Sequence, residues 1–234
     1  GLREPRSVTQ ASSQPPMPGM TYVAAVDPSG GGADAFTLCI VHAEGEQPSH
    51  KVVQDVCRGW KRGRQSSIDL EGIVAEIAAI LNAYNVHEIA GDRYSAGWVA
   101  QSFERQGISY RQTEKDKSAY YLETEPIFAQ GRIEILDHPQ LARELRLLER
   151  RPRPGGRTIV DHPSGSHDDH ANSLALAAVK ALEGGFGDKL ITGFGGYVQP
   201  DWDSVAPSND SETLANQIDG IVDEHRGGLQ RFDW

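Results

Sequence analysis

Short apolar runs alternate with longer stretches of helical spacing along most of this chain. Thr21 to Asp27 holds the continuous apolar run Tyr22 to Val26, closed by a charge, which predicts a first strand buried on both faces. Ala35 to Ala43 and His50 to Cys57 are two further runs separated by EGEQP, so three strands in meander order are expected. The period then changes. Ile73, Ile77, Ile80, Leu81 and Tyr84 recur at helical spacing behind Asp69, a suitable N-cap. Val86 to Ala90 reads as a short buried strand, and the helix before it implies a crossover to parallel pairing.

Alternation continues to residue 182. Ser95 can cap a helix running to Gln106, with Gly107 as its stop, and Ile108 to Gln112 forms another short strand. Lys117 to Gln130 is predicted helical despite Pro126, Arg132 to Leu136 strand-like, and Pro139 to Glu149 helical with Pro139 in its first turn. Arg157 to Asp161 suits one arm of a hairpin. From His167 to Leu182 the positions Ala171, Leu174, Ala175, Ala178 and Leu182 make a small-residue face suited to close packing on a sheet. The expected class is α/β: a mixed sheet of three antiparallel strands and then parallel ones, flanked by helices.

The two ends differ from this middle. Residues 1–20 carry Pro5, Pro15, Pro16 and Pro18 among Ser and Gln and read as a linker or extended arm, with order expected from Thr21. Residues 21–183 form the expected domain, for which 38% hydrophobic content over 234 residues provides a core. Residues 184–234 read as an acidic tail with glycines and isolated aromatics, among them Phe186, Phe194, Tyr197 and Trp202; a hairpin packed on the domain is the alternative. No apolar run approaches the roughly 18 residues that span a bilayer, and the start has no apolar signal segment, so an intracellular protein is expected and no membrane partner. Cys39 and Cys57, inside strand-like runs, are expected to be reduced core residues.

A net charge of -10 argues against a nucleic-acid partner until its distribution is considered. Residues 184–234 hold three basic and nine acidic residues, leaving 20 basic against 24 acidic upstream. Arg143, Arg146, Arg150, Arg151, Arg153 and Arg157 fall within one short stretch, and Arg58, Lys61, Arg62 and Arg64 flank Trp60 in another. Both stretches are candidate phosphate contacts. Arg143 and Arg146 equally suit the solvated face of a helix whose other face is Leu141, Leu145 and Leu148.

The candidate chemistry lies in aspartates placed where predicted elements end or begin: Asp27 in AAVDPSG, Asp92 in AGDRYSAG, and Asp168 with Asp169 in GSHDDHANSLALA. Singly, each has an ordinary explanation as a turn or first-turn carboxylate. A fold that joins those ends concentrates four carboxylates, which need hard divalent cations with oxygen ligands to remain ionised together. Asp168 and Asp169 would lie about 100 degrees apart on a helix, which favours one as principal ligand. Asp168, aligned with Ala171 and Ala175, is that one, and Asp169 is secondary. His167 and His170 read as capping or surface residues, because an oxygen-rich Mg2+ site rarely takes imidazole, with metal binding or proton transfer as the alternative, and His162 is open in the same way.

With AAVDPSGGGAD, AGDRYSAG, EPIFAQGRIEILDHPQLARELRLLERR and GGRTIVDHPSGSHDDHANSLALA in hand, the chain resembles, from Thr21 to Leu182, the nuclease domain of the large terminase subunit of tailed bacteriophages and prophages. The resemblance implies a ribonuclease H-like fold in which Asp27, Asp92, Asp168 and Asp169 bind two Mg2+ or Mn2+ ions. It implies cleavage of concatemeric double-stranded DNA during genome packaging, with Asp27 bridging the ions. It also likens Arg150 to Asp161 to a hairpin beside the DNA groove. The implied partners are a terminase ATPase domain, the portal and the small terminase subunit, in the cytoplasm of a bacterial host. No GxxxxGK[ST] phosphate loop occurs, so the ATPase motor is expected outside this chain. The alternatives are another ribonuclease H-like nuclease, such as a junction resolvase, and a non-catalytic DNA or portal docking module.

Overall fold

A computed structural model of the chain describes residues 13–28, 35–46, 49–61, 69–92, 96–153, 155 and 157–185. Its centre is a six-stranded sheet. Strands β1 (Tyr22–Asp27), β2 (Phe36–Glu44) and β3 (Lys51–Trp60) pair antiparallel in sequence order. On the other side of β1, β4 (Glu88–Gly91) and β5 (Ser109–Gln112) add in parallel, and the two-residue β6 (Ile133–Glu134) pairs parallel with β3. The spatial order is therefore β5-β4-β1-β2-β3-β6.

β1 is buried from Tyr22 to Val26 because helices cover both faces of the sheet, which is why its sequence shows no polar alternation. One face carries α1 (Leu70–Ala83) and α2 (Ala96–Arg105), with Ile73, Val74, Ile77 and Leu81 of α1 packed on Ala24, Val26, Leu38 and Ile40. The other face carries α3 (Lys117–Ala129), α4 (Pro139–Leu147) and α5 (Asp169–Leu182), packed on Val23, Ala25, Cys39 and Cys57. Both cysteines are free and buried, as expected. The alanines of α5 let the helix lie close to β1 and β2, an approach that bulky side chains would hold off.

Local signals account for most boundaries. Asp69 caps α1 through Oδ1, which accepts from Gly72 N–H at 2.9 Å; a Cβ on residue 72 would strike that carboxylate, so glycine permits the cap. Gly107 follows α2 at φ 76°, where glycine carries no steric penalty. Ser95, the expected cap of α2, lies outside the described residues, as do residues 29–34 of the glycine turn and residues 186–234.

Three expectations need correction. The chain is already packed on the sheet before Thr21: Ser13 bridges Val56, Gln14 N–H donates to Asp55 C=O at 2.8 Å, and Tyr84 OH donates to Gln14 C=O. A register shift between Ile40 and Val41 skips Asp55 in the backbone pairing of β3 with β2, and Gln14 N–H donates to its carbonyl. β3 runs three residues past Cys57, through Arg58, Gly59 and Trp60. α4 stops at Leu147, because Leu148 turns extended (φ -64°, ψ 131°) to begin β7 (Glu149–Pro152). β7 pairs antiparallel with β8 (Thr158–Asp161), so the hairpin expected over Arg150 to Asp161 is present, and Glu149, the last residue expected in the helix, opens its first arm instead.

Candidate metal centre

Two adjacent parallel strands deliver the first two aspartates. Val26 of β1 is the register partner of Gly91 of β4, so Asp27 and Asp92 both sit at the carboxyl ends of these strands. In an open α/β sheet, ligands bind at carboxyl ends where the strand order changes direction, and β1 is that place here, with β4 on one side and β2 on the other. Side chains alternate along a strand. Ala25 and Ala90 pack in the core under α5, so Asp27 and Asp92, each two residues on, face the same side.

α5 brings the other pair to that side. Asp168 and Asp169 are buried and line, with Asp27 and Asp92, one cavity of about 480 Å³. Asp168 is not yet helical: it holds the N-cap position at φ -139°, ψ 25°. The 100-degree separation expected between helical neighbours therefore does not constrain it, and both carboxylates reach the cavity. Asp168 Oδ2 accepts from Tyr121 OH at 2.9 Å and lies 2.9 Å from Lys117 Nζ, which also reaches Asp161 Oδ1 at 2.8 Å. Asp169 Oδ2 accepts from Ala35 N–H at 2.8 Å, fixing the start of β2 to the start of α5. Asp27 Oδ2 accepts from the side-chain amide of Asn172 at 2.8 Å.

The charges in this cavity do not suit one another. Burial pushes the Asp27 carboxyl up to about 7; the Asn172 amide opposes this, and the negative charges of Asp169, Asp168 and Asp92 add to it. For Lys117, burial works against the ammonium, and Asp168 and Asp161 outweigh it, holding the group above its ordinary value. Lys115, Lys117 and Arg157 line the cavity against the carboxylates of Asp27, Asp92, Asp116, Asp168 and Asp169, which still leaves an excess of negative charge around a mainly carboxylate donor set. That set fits hard divalent cations such as Mg2+ or Mn2+.

Histidines play different parts. His162 lines the cavity, with Nε2 3.6 Å from Asp168 Oδ1. His170 is buried instead against α4, with Nδ1 3.2 Å from Glu144 Oε1 and its ring 4.7 Å from that of His138. Its other edge fills the space where a side chain on Gly59 would stand, with Nε2 2.5 Å from the ideal Cβ position. Cys57, His138 and His170 approach one another closely enough to suggest a soft-metal site. However, His138 Nδ1 accepts from Leu141 N–H at 3.2 Å, which puts the proton of the neutral ring on Nε2, the nitrogen a metal would need.

The basic residues separate. Arg157 lines the cavity and pairs with Asp116. Arg150 pairs with Glu125 and Arg151 with Glu149, 2.7 Å away, both on β7, while Arg153 is exposed at the turn. Arg58 lies on the opposite face of the sheet, 3.3 Å from Glu76 of α1 and over the ring of Trp60, so it is not beside the carboxylates. Lys61 is exposed at the end of β3, and Arg62 and Arg64 lie outside the described residues. Sequence reasoning missed Asn172, Lys117, Tyr121 and Glu144. Asn172, four residues after Asp168 and so near the same helix face, was the most accessible of them.

A family model for the terminase RNaseH-like domain matches residues 24–181. Among solved structures, the large terminase nuclease from thermophilic phage G20c is similar at 18% identity and a TM-score of 0.59, over 76% of this chain and 90% of that one. The same nuclease is known with bound magnesium, at a TM-score of 0.58 and 18% identity over 76% of this chain and 89% of that one. The HK97 bacteriophage large terminase is similar at 16% identity and 0.57, over 71% of this chain and 40% of that one. No curated protein matches in sequence.

Proposed function

The chain belongs to the terminase RNaseH-like domain family, and from that premise we propose that it is the divalent-metal-dependent endonuclease of a phage DNA-packaging machine. The observation that carries this reading is the meeting of Asp27, Asp92, Asp168 and Asp169, from two strand ends and one helix start, in a single cavity. The arrangement raises Asp27 to about 7, a cost that bound cations would offset. The magnesium found with the similar G20c nuclease supports the same chemistry here.

In this reading Asp27, Asp92 and Asp168 would hold divalent ions such as Mg2+ or Mn2+, with Asp169 assisting. Bound there, such ions lower the pKa of a water nucleophile and stabilise the departing 3′ oxygen of a DNA phosphodiester. The protein's own part is orientation. Asn172 fixes the carboxylate of Asp27, Tyr121 and Lys117 fix that of Asp168, and Arg157 offers a cation to the DNA backbone at the cavity edge. Contacts of this kind are to phosphate, so cleavage would show little sequence preference, consistent with cutting concatemeric double-stranded DNA. The chain would act beside a terminase ATPase domain, the portal and the small subunit in the cytoplasm of a bacterial host.

Plasmid degradation in Mn2+ tests this. The wild type should linearise and then degrade the plasmid, and Asp27→Asn should abolish both while remaining folded. Equal activity in Asp27→Asn would sink the nuclease reading and leave a DNA or portal docking module. Preference for four-way junctions over linear duplex would instead favour a resolvase.

A further inference from the structure

Asp168 stands at the N-cap of α5, where an aspartate normally accepts from the backbone N–H groups two and three residues on. It makes no such bond. Those two donors, His170 N–H and Ala171 N–H, go instead to Glu144 Oε2 at 2.8 and 3.0 Å. Glu144 comes from the middle of α4, between the core residues Leu141 and Leu145, and is 1% exposed. Its other oxygen lies 3.2 Å from His170 Nδ1 and accepts from Gln140 Nε2 at 3.0 Å. A carboxylate accepts only, so the His170 ring donates here. Four donors thus hold one buried charge, and burial, which opposes it, is outweighed by the bonds from His170, Gln140 and Ala171.

The consequence concerns Asp168. Because another residue satisfies the first turn of its helix, its carboxylate is released to meet Tyr121 OH and Lys117 in the cavity. We propose that Glu144 is a positioning residue of the metal centre: it caps α5 in place of Asp168 and so keeps the Asp168 carboxylate aimed at the ions. The proposal rests on reading Asp168 as an ion ligand, and it assigns Glu144 a part in that site although it touches neither ion nor DNA.

Two measurements on the full chain test it. In titration calorimetry with MnCl2, Glu144→Ala should bind about tenfold more weakly or worse, the range seen when support behind a metal ligand is lost, and Glu144→Gln, which keeps an acceptor for both N–H groups, should restore most of the affinity. In a crystal structure of metal-free Glu144→Ala, the Asp168 carboxylate should turn back to accept from His170 or Ala171 N–H and leave Tyr121. If Asp168 stays on Tyr121 and Lys117 in that variant, or if Glu144→Ala binds Mn2+ as the wild type does, Glu144 is only a core residue. If the wild type takes up no Mn2+, the metal reading fails, while the crystal comparison still decides the positioning. Should Glu144→Ala not fold, Glu144→Asp, one methylene too short to reach, gives the same comparison.

Discussion

The side-chain amide of Asn172 donates to Asp27 Oδ2 at 2.8 Å, across 145 residues of sequence, and so joins the carboxyl end of β1 to the early turns of α5. This bond favours the ionised form of Asp27 against burial and three neighbouring carboxylates. Removing it in Asn172→Ala should raise the Asp27 pKa further. The acidic limb of the pH profile for Mn2+-dependent cleavage should then move to higher pH, with the KM for DNA unchanged. An unmoved limb with a general loss of rate would mean that Asn172 serves packing alone.

The same carboxylate sets a pH dependence of stability. Asp27 titrates at about 7 in the folded chain, against an ordinary 3.8, so between those values the folded state holds more protons than the unfolded one. Stability from this group is therefore full below about pH 4 and lost as pH rises through 7. Metal-free protein should lose melting temperature over that window, and Asp27→Asn should flatten that loss. Added Mn2+ should restore the wild type at pH 8, because bound cations offset the carboxylate charges, and should do little for Asp27→Asn.

Arg157 and Arg58 separate the two basic stretches. Arg157 lines the carboxylate cavity, whereas Arg58 lies on the α1 face with Glu76. Arg157→Ala should weaken duplex binding and lower the slope of log affinity against log salt by ~1, the signature of one lost phosphate contact. Arg58→Ala should leave both unchanged. Fluorescence anisotropy over a salt series reads the two variants side by side, and equal effects would contradict this assignment.

Much of this was legible because the four aspartates sit where elements change. Asp27 ends an apolar run, Asp92 follows another, and Asp168 and Asp169 open a small-residue helix, so turn and period signals located all four before any fold was known. Glu144 was hidden in plain view: it follows Leu141 by three and precedes Leu145, a charge on the apolar stripe of α4, and its partners are backbone N–H groups on another helix that no sequence pattern displays. Gln14 was hidden for the same reason, since it binds the sheet through main-chain groups while its proline-rich surroundings suggest a free arm. Arg58 was misplaced because β3 continues to Trp60, and alternation along a strand then sends it to the face opposite Cys57. The β7 strand departs from expectation only at Glu149, which continues the helical spacing of α4 and turns extended where β8 offers a partner.

The central claim is that Asp27, Asp92 and Asp168 form one divalent-metal centre. Anomalous scattering from a crystal soaked in MnCl2 tests it most directly. The account predicts two manganese peaks inside the cavity, both within coordinating distance of Asp27, one also bound by Asp92 and the other by Asp168. No peak in the cavity, or manganese bound without Asp27, would contradict it.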